Sequence, residues 1–512
     1  MSTSSRIIKN TTYLYIKMGV TIFVSLFTTR LILASLGASD FGVFNVVGSS
    51  IAMLGFLNST LANATQRFMS YAEGEGRLER IRSIFNVSIV LHLLIALITT
   101  VMLLIAMWPL FHGIFNIDPD RVFAAKIIYF SLIISTILTI VNVPYDAVMN
   151  AHENMLYYSI VGILESVLRL AVAFVCVHTT HDKLIVYGIL MAFIPFITLS
   201  IMKVYCHRHY DECVISIKRY WDRTIIKQIA GFFGWNFLTA ISSLFTIQGI
   251  GIVLNHFWGA ALNAAQGIAV QVNSALSNFS TNMMKALNPV ITKSAGAGDR
   301  STMNVATLAG CKFSTLLLLF FAVPVSLEIY YILDLWLKEV PEWAAIFVVL
   351  QLTQSVITQM ATSASTAVYA QGDIKHYALF KSITNALPLV LTWVAFRIGW
   401  GPIWLYVPMI IIGAFCGDIV IIYYAHQLCG INIKEYLLNI VLPLFGTTII
   451  MCCLGLIPIV FLHSGVWRLL LTGVLSTVGM LVSCFSFAIT EEEKQKLLLF
   501  MKALFNGNTS HI

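Results

Sequence analysis

From Ile84 to Trp108 the chain carries no charged residue. A helix needs about 20 such residues to cross the roughly 30 Å hydrocarbon core of a bilayer. Runs like this recur from one end of the sequence to the other, and they leave few ways to fold. In hydrocarbon every backbone amide must be satisfied internally, so only helices and closed barrels can span. Barrel strands alternate in hydropathy over about 10 residues, and nothing here alternates that way. With 58% hydrophobic and 11% charged residues, against about 25% charged in soluble domains, there is no room for a large soluble domain. The sequence predicts an all-α polytopic membrane protein.

Apolar runs bounded by Gly, Pro or charge mark fourteen spans, the first at 11–36, the second at 41–70, the seventh and eighth at 229–257 and 262–292, and the last at 466–489. The first run is too long for a signal-peptide core and reads as an uncleaved span. Nineteen of the 31 Lys and Arg fall in segments read as cytoplasmic, among them Arg6, Arg77, Arg219, Lys381, Lys496 and Lys502. Five (Arg121, Lys183, Lys338, Arg397 and Arg468) fall outside, and the remaining seven lie within spans. The asymmetry places both termini in the cytoplasm. Every outer loop is short, which argues against membrane glycosyltransferases and polymerases. The nine cysteines sit in apolar segments or a cytoplasmic loop, so no disulfide framework is expected.

A weak repeat runs through the chain. Adding 222 pairs Gly37 with Gly259, Ala38 with Ala260, Gly74 with Gly296, Gly76 with Gly298 and Pro119 with Pro341. An offset of 219 pairs Ala151 with Ala370 and Tyr158 with Tyr377. A six-helix repeat runs in the same direction in both halves, the arrangement of transporters with a site between repeats. The expected organisation is two six-helix lobes, 1–221 and 222–435, related by a pseudo-two-fold axis along the membrane normal. Two further helices at 436–490 and a cytoplasmic tail at 491–512 follow.

The second and eighth spans are too polar to face lipid. The second carries Asn45, Asn58, Asn63, Gln66 and Arg67; the eighth carries Gln266, Gln271, Asn273, Asn278, Asn282 and Lys285. The seventh adds Asn236, Thr239, Ser243 and Thr246, and the first adds Lys17, Thr21, Ser25 and Thr28, each on one helical face. Isolated hydroxyls aid helix packing, worth about 0.6 kcal/mol each; this density predicts a wet cavity shared by spans 1, 2, 7 and 8. Amides and hydroxyls suit a sugar-like or heavily hydrated cargo.

Charges inside spans are functional candidates by default. Arg67 and Lys285 lie near the cytoplasmic ends of repeat-related helices, where they could also snorkel. Arg30 points roughly 170° away from the Lys17 stripe on an ideal helix, outside its face. Glu165 and Arg169 are spaced i, i+4 in the favoured order for an ion pair. Asp418 has no partner in its own helix; it and the Glu165/Arg169 pair are the candidates for H⁺ or Na⁺ coupling. No acid occurs between Asp222 and Asp299. "YCHRHYDEC" (205–213) holds zinc-ligand residue types, but the spacing matches no standard site, so no metal is expected. "SAGAGDRS" (294–301) lacks the ending of a nucleotide-binding loop. Neither a cofactor nor catalysis is expected, and no feature points to nucleic acid.

At "RLILASLGASDFGVFNVVGSS" and "ATQRFMSYAEGEG" the sequence resembles bacterial polysaccharide exporters. An arginine late in the first helix is followed by Leu-Gly and an acidic-aromatic-Gly turn, and another arginine closes the second helix. The chain is similar to flippases of the Wzx type, in the multidrug/oligosaccharidyl-lipid/polysaccharide exporter superfamily, over nearly its whole length. The resemblance implies an inner-membrane protein that flips an undecaprenyl-pyrophosphate-linked oligosaccharide by alternating access, with Arg30 and Arg67 matching family arginines that would neutralise the pyrophosphate; Lys285, Asn63, Gln271 and Asn278, from the polar helices, are the further residues expected to bind the cargo. The alternative it implies is a cation-coupled multidrug antiporter of the same superfamily.

Overall fold

The computed structural model describes residues 3–115, 117–337, 339–490 and 493–494. Lys338, Lys496, Lys502 and most of the tail expected at 491–512 lie outside the described residues, as does the side chain of Ala38. Among the described residues there is no strand. The helices are α1 (Arg6–Gly37), α2 (Ser39–Ala52 and Gly55–Glu75), α3 (Leu78–Gly113), α4 (Pro119–Ala151), α5 (Met155–His178), α6 (Lys183–His209), α7 and α8 (together Arg223–Gly296), α9 (Arg300–Leu327), α10 (Ala344–Gln371), α11 (Lys375–Ile398), α12 (Pro402–Cys429), α13 (Ile433–Phe461) and α14 (Val466–Ala488). The run Arg223–Gly296 is 74 residues long, about 110 Å at 1.5 Å per residue. It breaks at Gly259 and therefore supplies two spans, making fourteen.

Two expectations about these helices are corrected. Spans 7 and 8 are not separated by a loop; a single non-helical residue divides them. The second span is not one helix but bends by 48° at Met53–Leu54. Just before the bend, Ser49 and Ser50 donate to the carbonyls of Val46 and Val47, at 2.9 and 2.7 Å. Hydroxyls bonded back onto their own helix compete with its ladder and bend it.

The repeat is carried in the backbone. Gly37 has φ 77° and ψ 169°, and Gly259 has φ 77° and ψ −173°. This region is open essentially to glycine alone. Gly76 and Gly298 share left-handed φ values of 68° and 73°, and the 219 offset matches Glu153 (55°) with Gly372 (90°).

The chain forms two compact units. The N-terminal unit comprises Lys9–Phe237 with Gly296–Gly298; the C-terminal unit takes the other described residues. In the N-terminal unit, α4 and α6 pack closely because Gly188 leaves its space to Ile128, whose Cγ1 lies 2.8 Å from where a Cβ would stand. Small residues let membrane helices approach in this way. Tyr129 is fully buried and donates its hydroxyl to the Leu103 carbonyl at 2.6 Å. Arg121 ties three elements together, reaching Asp40 at 2.7 Å and Asp182 at 2.6 Å, while Asp182 caps α6. By contrast α1 is loosely held. Few of its residues are buried, and its contacts include Leu14, Ile32 and two hydroxyl bonds: Thr21 with Ser166 at 3.1 Å, and Ser35 donating to the Cys176 carbonyl at 2.8 Å.

In the C-terminal unit, Gly310 of α9 packs on Ser363 of α10. The last helix is tied to the end of α9 through Glu328, which is fully buried. It accepts from Arg468 at 2.8 to 3.2 Å and from Thr472 at 3.0 Å, which satisfies a carboxylate that would be costly to bury alone.

A Cβ at Gly37 or Gly259 would meet no atom within 4 Å, so the cost of adding one is purely conformational. Gly37→Ala and Gly259→Ala are each expected to destabilise the detergent-solubilised protein by about 1–3 kcal/mol. Gly231→Ala, at a helical position with equal space, should leave the melting temperature unchanged or raise it. Equal behaviour of all three in thermal unfolding would show that the breaks do not depend on glycine.

Candidate functional site

The polar face of α1 finds its partner in α5. Lys17, Thr21, Ser25 and Thr28 line a cavity of about 410 Å³ together with Gly162, Glu165, Ser166 and Arg169 of α5 and Tyr187 and Met191 of α6. Gly162 makes the arrangement possible. A Cβ there would lie 2.1 Å from Lys17 Cε, so the end of the lysine side chain occupies space that the glycine leaves open. Its ammonium sits 4.2 Å from the Tyr158 ring centre, a favourable cation–π placement. Ser25 and Thr28 donate to carbonyls of their own helix at 2.8 Å, which satisfies them without neighbours.

Arg169 lies 2.7 Å from Glu165, and the two side chains are 48% and 40% exposed. They pair while remaining open to the cavity. Among the charged side chains of the lining, two are cations and one is an acid. Because the acid is engaged by Arg169, the charge left over is positive. The structure adds a cavity that the sequence pattern did not indicate: within this unit it is built from α1, α5 and α6. The reason is Gly162, invisible as a signal until its neighbour is known.

The other candidates are placed apart. Arg30 is exposed, outside this cavity, with no ion pair among the described residues. Arg67 is half-buried, its guanidinium 4.5, 4.7 and 5.7 Å from the rings of Phe68, Tyr71 and Phe232. Asn63, Gln271 and Asn278 are exposed and Lys285 is half-buried. Arg30, Asn63 and Arg67 belong to the N-terminal unit, and Gln271, Asn278 and Lys285 to the C-terminal one.

Asp418, without a partner in its own helix, finds one on another. Lys381 of α11 is its electrostatic neighbour, with Tyr377 and Tyr436 also in range. Lys381 is half-buried in its helix rather than part of a cytoplasmic loop. Gly417 gives it room, because a Cβ there would lie 2.8 Å from the lysine Nζ. Asp418 sits between two wide π-type stretches, Met409–Cys416 and Ala425–Cys429, and its Oδ1 is buried without a hydrogen-bond partner. Wide turns of this kind are frequent at functional sites.

The linker and loop candidates take structural roles. His152 lies between Glu73 and Glu212 and stacks on Tyr210 at 4.2 Å. Burial pushes the Tyr210 hydroxyl up to about 12, and it accepts from the Asn154 amide. A bond with Cys206, then burial, raises the Cys213 thiol far above its usual value. In "SAGAGDRS", Asp299 caps α9 by accepting from Thr302 N at 3.0 Å, and bonds from Thr302 hold its carboxyl below the usual range. A carboxylate therefore occupies the helix N-terminus that a phosphate would need.

The MatE family model matches residues 16–204, the stretch that builds this cavity. No curated protein matches in sequence. Solved structures do match in fold. One is described as MATE in the bent conformation, with TM-score 0.71, 14% identity, and 83% of this chain and 95% of that one covered. Another is the outward-facing conformation of a multidrug resistance MATE family transporter of the MOP superfamily, with TM-score 0.69, 16% identity, and 83% and 95% covered. A third is a MOP superfamily transporter from Pyrococcus furiosus, described as having a binding pocket of reverse polarity that suggests a different function, with TM-score 0.63, 16% identity, and 84% and 96% covered. At these identities the likeness is one of fold: this chain has the fold of MATE transporters.

The exposure of the Glu165–Arg169 pair makes a measurable prediction. A double-mutant cycle with Glu165→Gln and Arg169→Gln, read by unfolding, should give a coupling of about 0.3–0.5 kcal/mol, as for water-exposed i, i+4 pairs. A coupling of about 3 kcal/mol or more would mean a dry site and would contradict a cavity open to water.

Proposed function

We propose that this chain is a secondary transporter that moves an amphiphilic cargo bearing an anionic group across the membrane by alternating access, with the α1/α5/α6 cavity as the cargo site. The observation that carries the reading is the charge of that cavity: Lys17 and Arg169 against one carboxylate, Glu165, already paired at 2.7 Å. An organic cation would meet an excess of like charge there; an anion would meet a counter-ion. The fold likeness supports transport, and it supports export of small organic molecules better than flipping of an undecaprenyl-pyrophosphate-linked oligosaccharide. Multidrug resistance is named for one matched structure, and the third comparison speaks for pocket polarity varying on this fold. The flippase reading keeps separate support: amides such as Asn63, Gln271 and Asn278 are exposed on helices of span length, and Arg30, Arg67 and Lys285 remain its candidate pyrophosphate partners.

Energy would come from an H⁺ or Na⁺ gradient, with Asp418 as the coupling candidate. It is a half-buried acid with one buried oxygen that no hydrogen bond engages among the described residues, and intramembrane acids in general mark ion pathways. Lys381 beside it suits a site whose charge changes during the cycle.

The test is transport by purified protein in proteoliposomes. A fluorescent organic anion should be concentrated when an H⁺ or Na⁺ gradient is imposed. Lys17→Gln should slow it about tenfold, the scale of one lost charge interaction. Asp418→Asn should abolish the gradient dependence at unchanged protein stability. Preferential transport of a matched organic cation, or movement of a polyprenyl-diphosphate sugar alone, would replace this cargo reading with one of the alternatives.

A further inference from the structure

The C-terminal unit holds a second cavity of a different chemical kind. It has a volume of about 240 Å³ and is lined by Ser277 of α8 and by Gln351, Gln354, Ser355, Thr358 and Gln359 of α10. The α10 residues stand at i, i+3, i+4, i+7 and i+8, one face of one helix. All six are neutral, and each can both donate and accept. The 219 offset maps these five α10 positions onto Leu132, Ser135, Thr136, Thr139 and Ile140 of α4, so the amides are not part of what the two halves share.

Packing uses some of this hydrogen-bonding capacity and leaves the rest. Gln359 donates to Ser314 at 2.8 Å, Tyr406 donates to the Gln351 carbonyl at 3.3 Å, and Thr358 donates to the Gln354 backbone carbonyl at 3.0 Å. Among the described residues no bond engages the Gln354 amide nitrogen, the Gln359 side-chain oxygen or the Ser355 hydroxyl, and none of these atoms is buried away from the cavity. Donors and acceptors therefore converge on a space in the middle of a membrane-spanning helix.

That combination selects a ligand. An ion would find no counter-charge on this lining. An apolar group would strand the Gln354 amide nitrogen and the Gln359 side-chain oxygen, each costly when left unpaired. A group with several neighbouring hydroxyls would both donate to and accept from the same glutamines. The volume equals about eight waters at roughly 30 Å³ each, the scale of a single sugar ring.

We propose that this α8/α10 cavity is a binding site for a neutral polyhydroxylated group, one sugar ring or a polyol of that size. The inference rests on the transporter reading only in taking that group to be part of a cargo; the binding itself requires no transport.

The probes are methyl glycosides of glucose and of N-acetylglucosamine, titrated onto protein in lipid nanodiscs free of sugar detergents, with binding read by saturation-transfer NMR. Saturable binding is expected for at least one of them. It should weaken about tenfold or more in Gln354→Leu and measurably in Ser355→Ala, because these groups make the contacts. Thr353→Ala, on another face of α10 and bonded only to its own helix, should bind like the parent. In Ser355→Cys, the glycoside should slow alkylation by N-ethylmaleimide, followed on the peptide that carries the cysteine. This readout decides the matter even if Gln354→Leu fails to fold. No saturable binding, binding untouched by either substitution, or no protection of the cysteine would each overturn the proposal. Binding without any transport would sink the transporter reading and leave this site standing.

Discussion

A polar group at bilayer depth has no water to turn to, and this chain is organised around that constraint. Many of its hydroxyls bond back onto their own helices, as Thr28 does to Val24 and Ser50 to Val47. Glu328, a fully buried carboxylate, is satisfied by Arg468 and Thr472. Arg121 does the same for Asp40 and Asp182. Other polar groups are not used up in this way, among them those of the charged cavity of α1, α5 and α6, the Asp418 and Lys381 pair, and the amide face of α10. The functional reading rests on that remainder.

Much of this was legible in the sequence because membrane helices declare themselves in hydropathy and glycines declare their backbone. The 222 offset pairs Gly37 with Gly259, and the two carry nearly the same φ and ψ. The Lys17 stripe lines a cavity, and Glu165 meets Arg169, because both patterns are local to one helix. The roughly 170° angle that separates Arg30 from the stripe agrees with its position outside that cavity.

What the sequence hid depends on neighbours distant along the chain. Asp418 is 37 residues from Lys381, and only packing brings them into range. The cavity forms against α5 because Gly162 yields its space to Lys17, and a lone glycine in an apolar run gives no sign of this. The α2 bend comes from serines whose bonding direction is fixed only in three dimensions. The glutamines of α10 were visible at helical spacing, yet nothing local separates an amide face that packs from one that lines a cavity.

The central claim is that the excess positive charge of the N-terminal cavity sets the polarity of what it holds. Two amphiphiles with the same alkyl tail, one ending in a sulfonate and one in a quaternary ammonium, isolate that variable. Their equilibrium binding to the purified protein at low salt, measured by calorimetry, should favour the sulfonate by about tenfold or more, the worth of one counter-ion contact in a wet site. Lys17→Glu should reverse the order. Tighter binding of the ammonium by the parent protein, or an order indifferent to Lys17→Glu, would contradict the account.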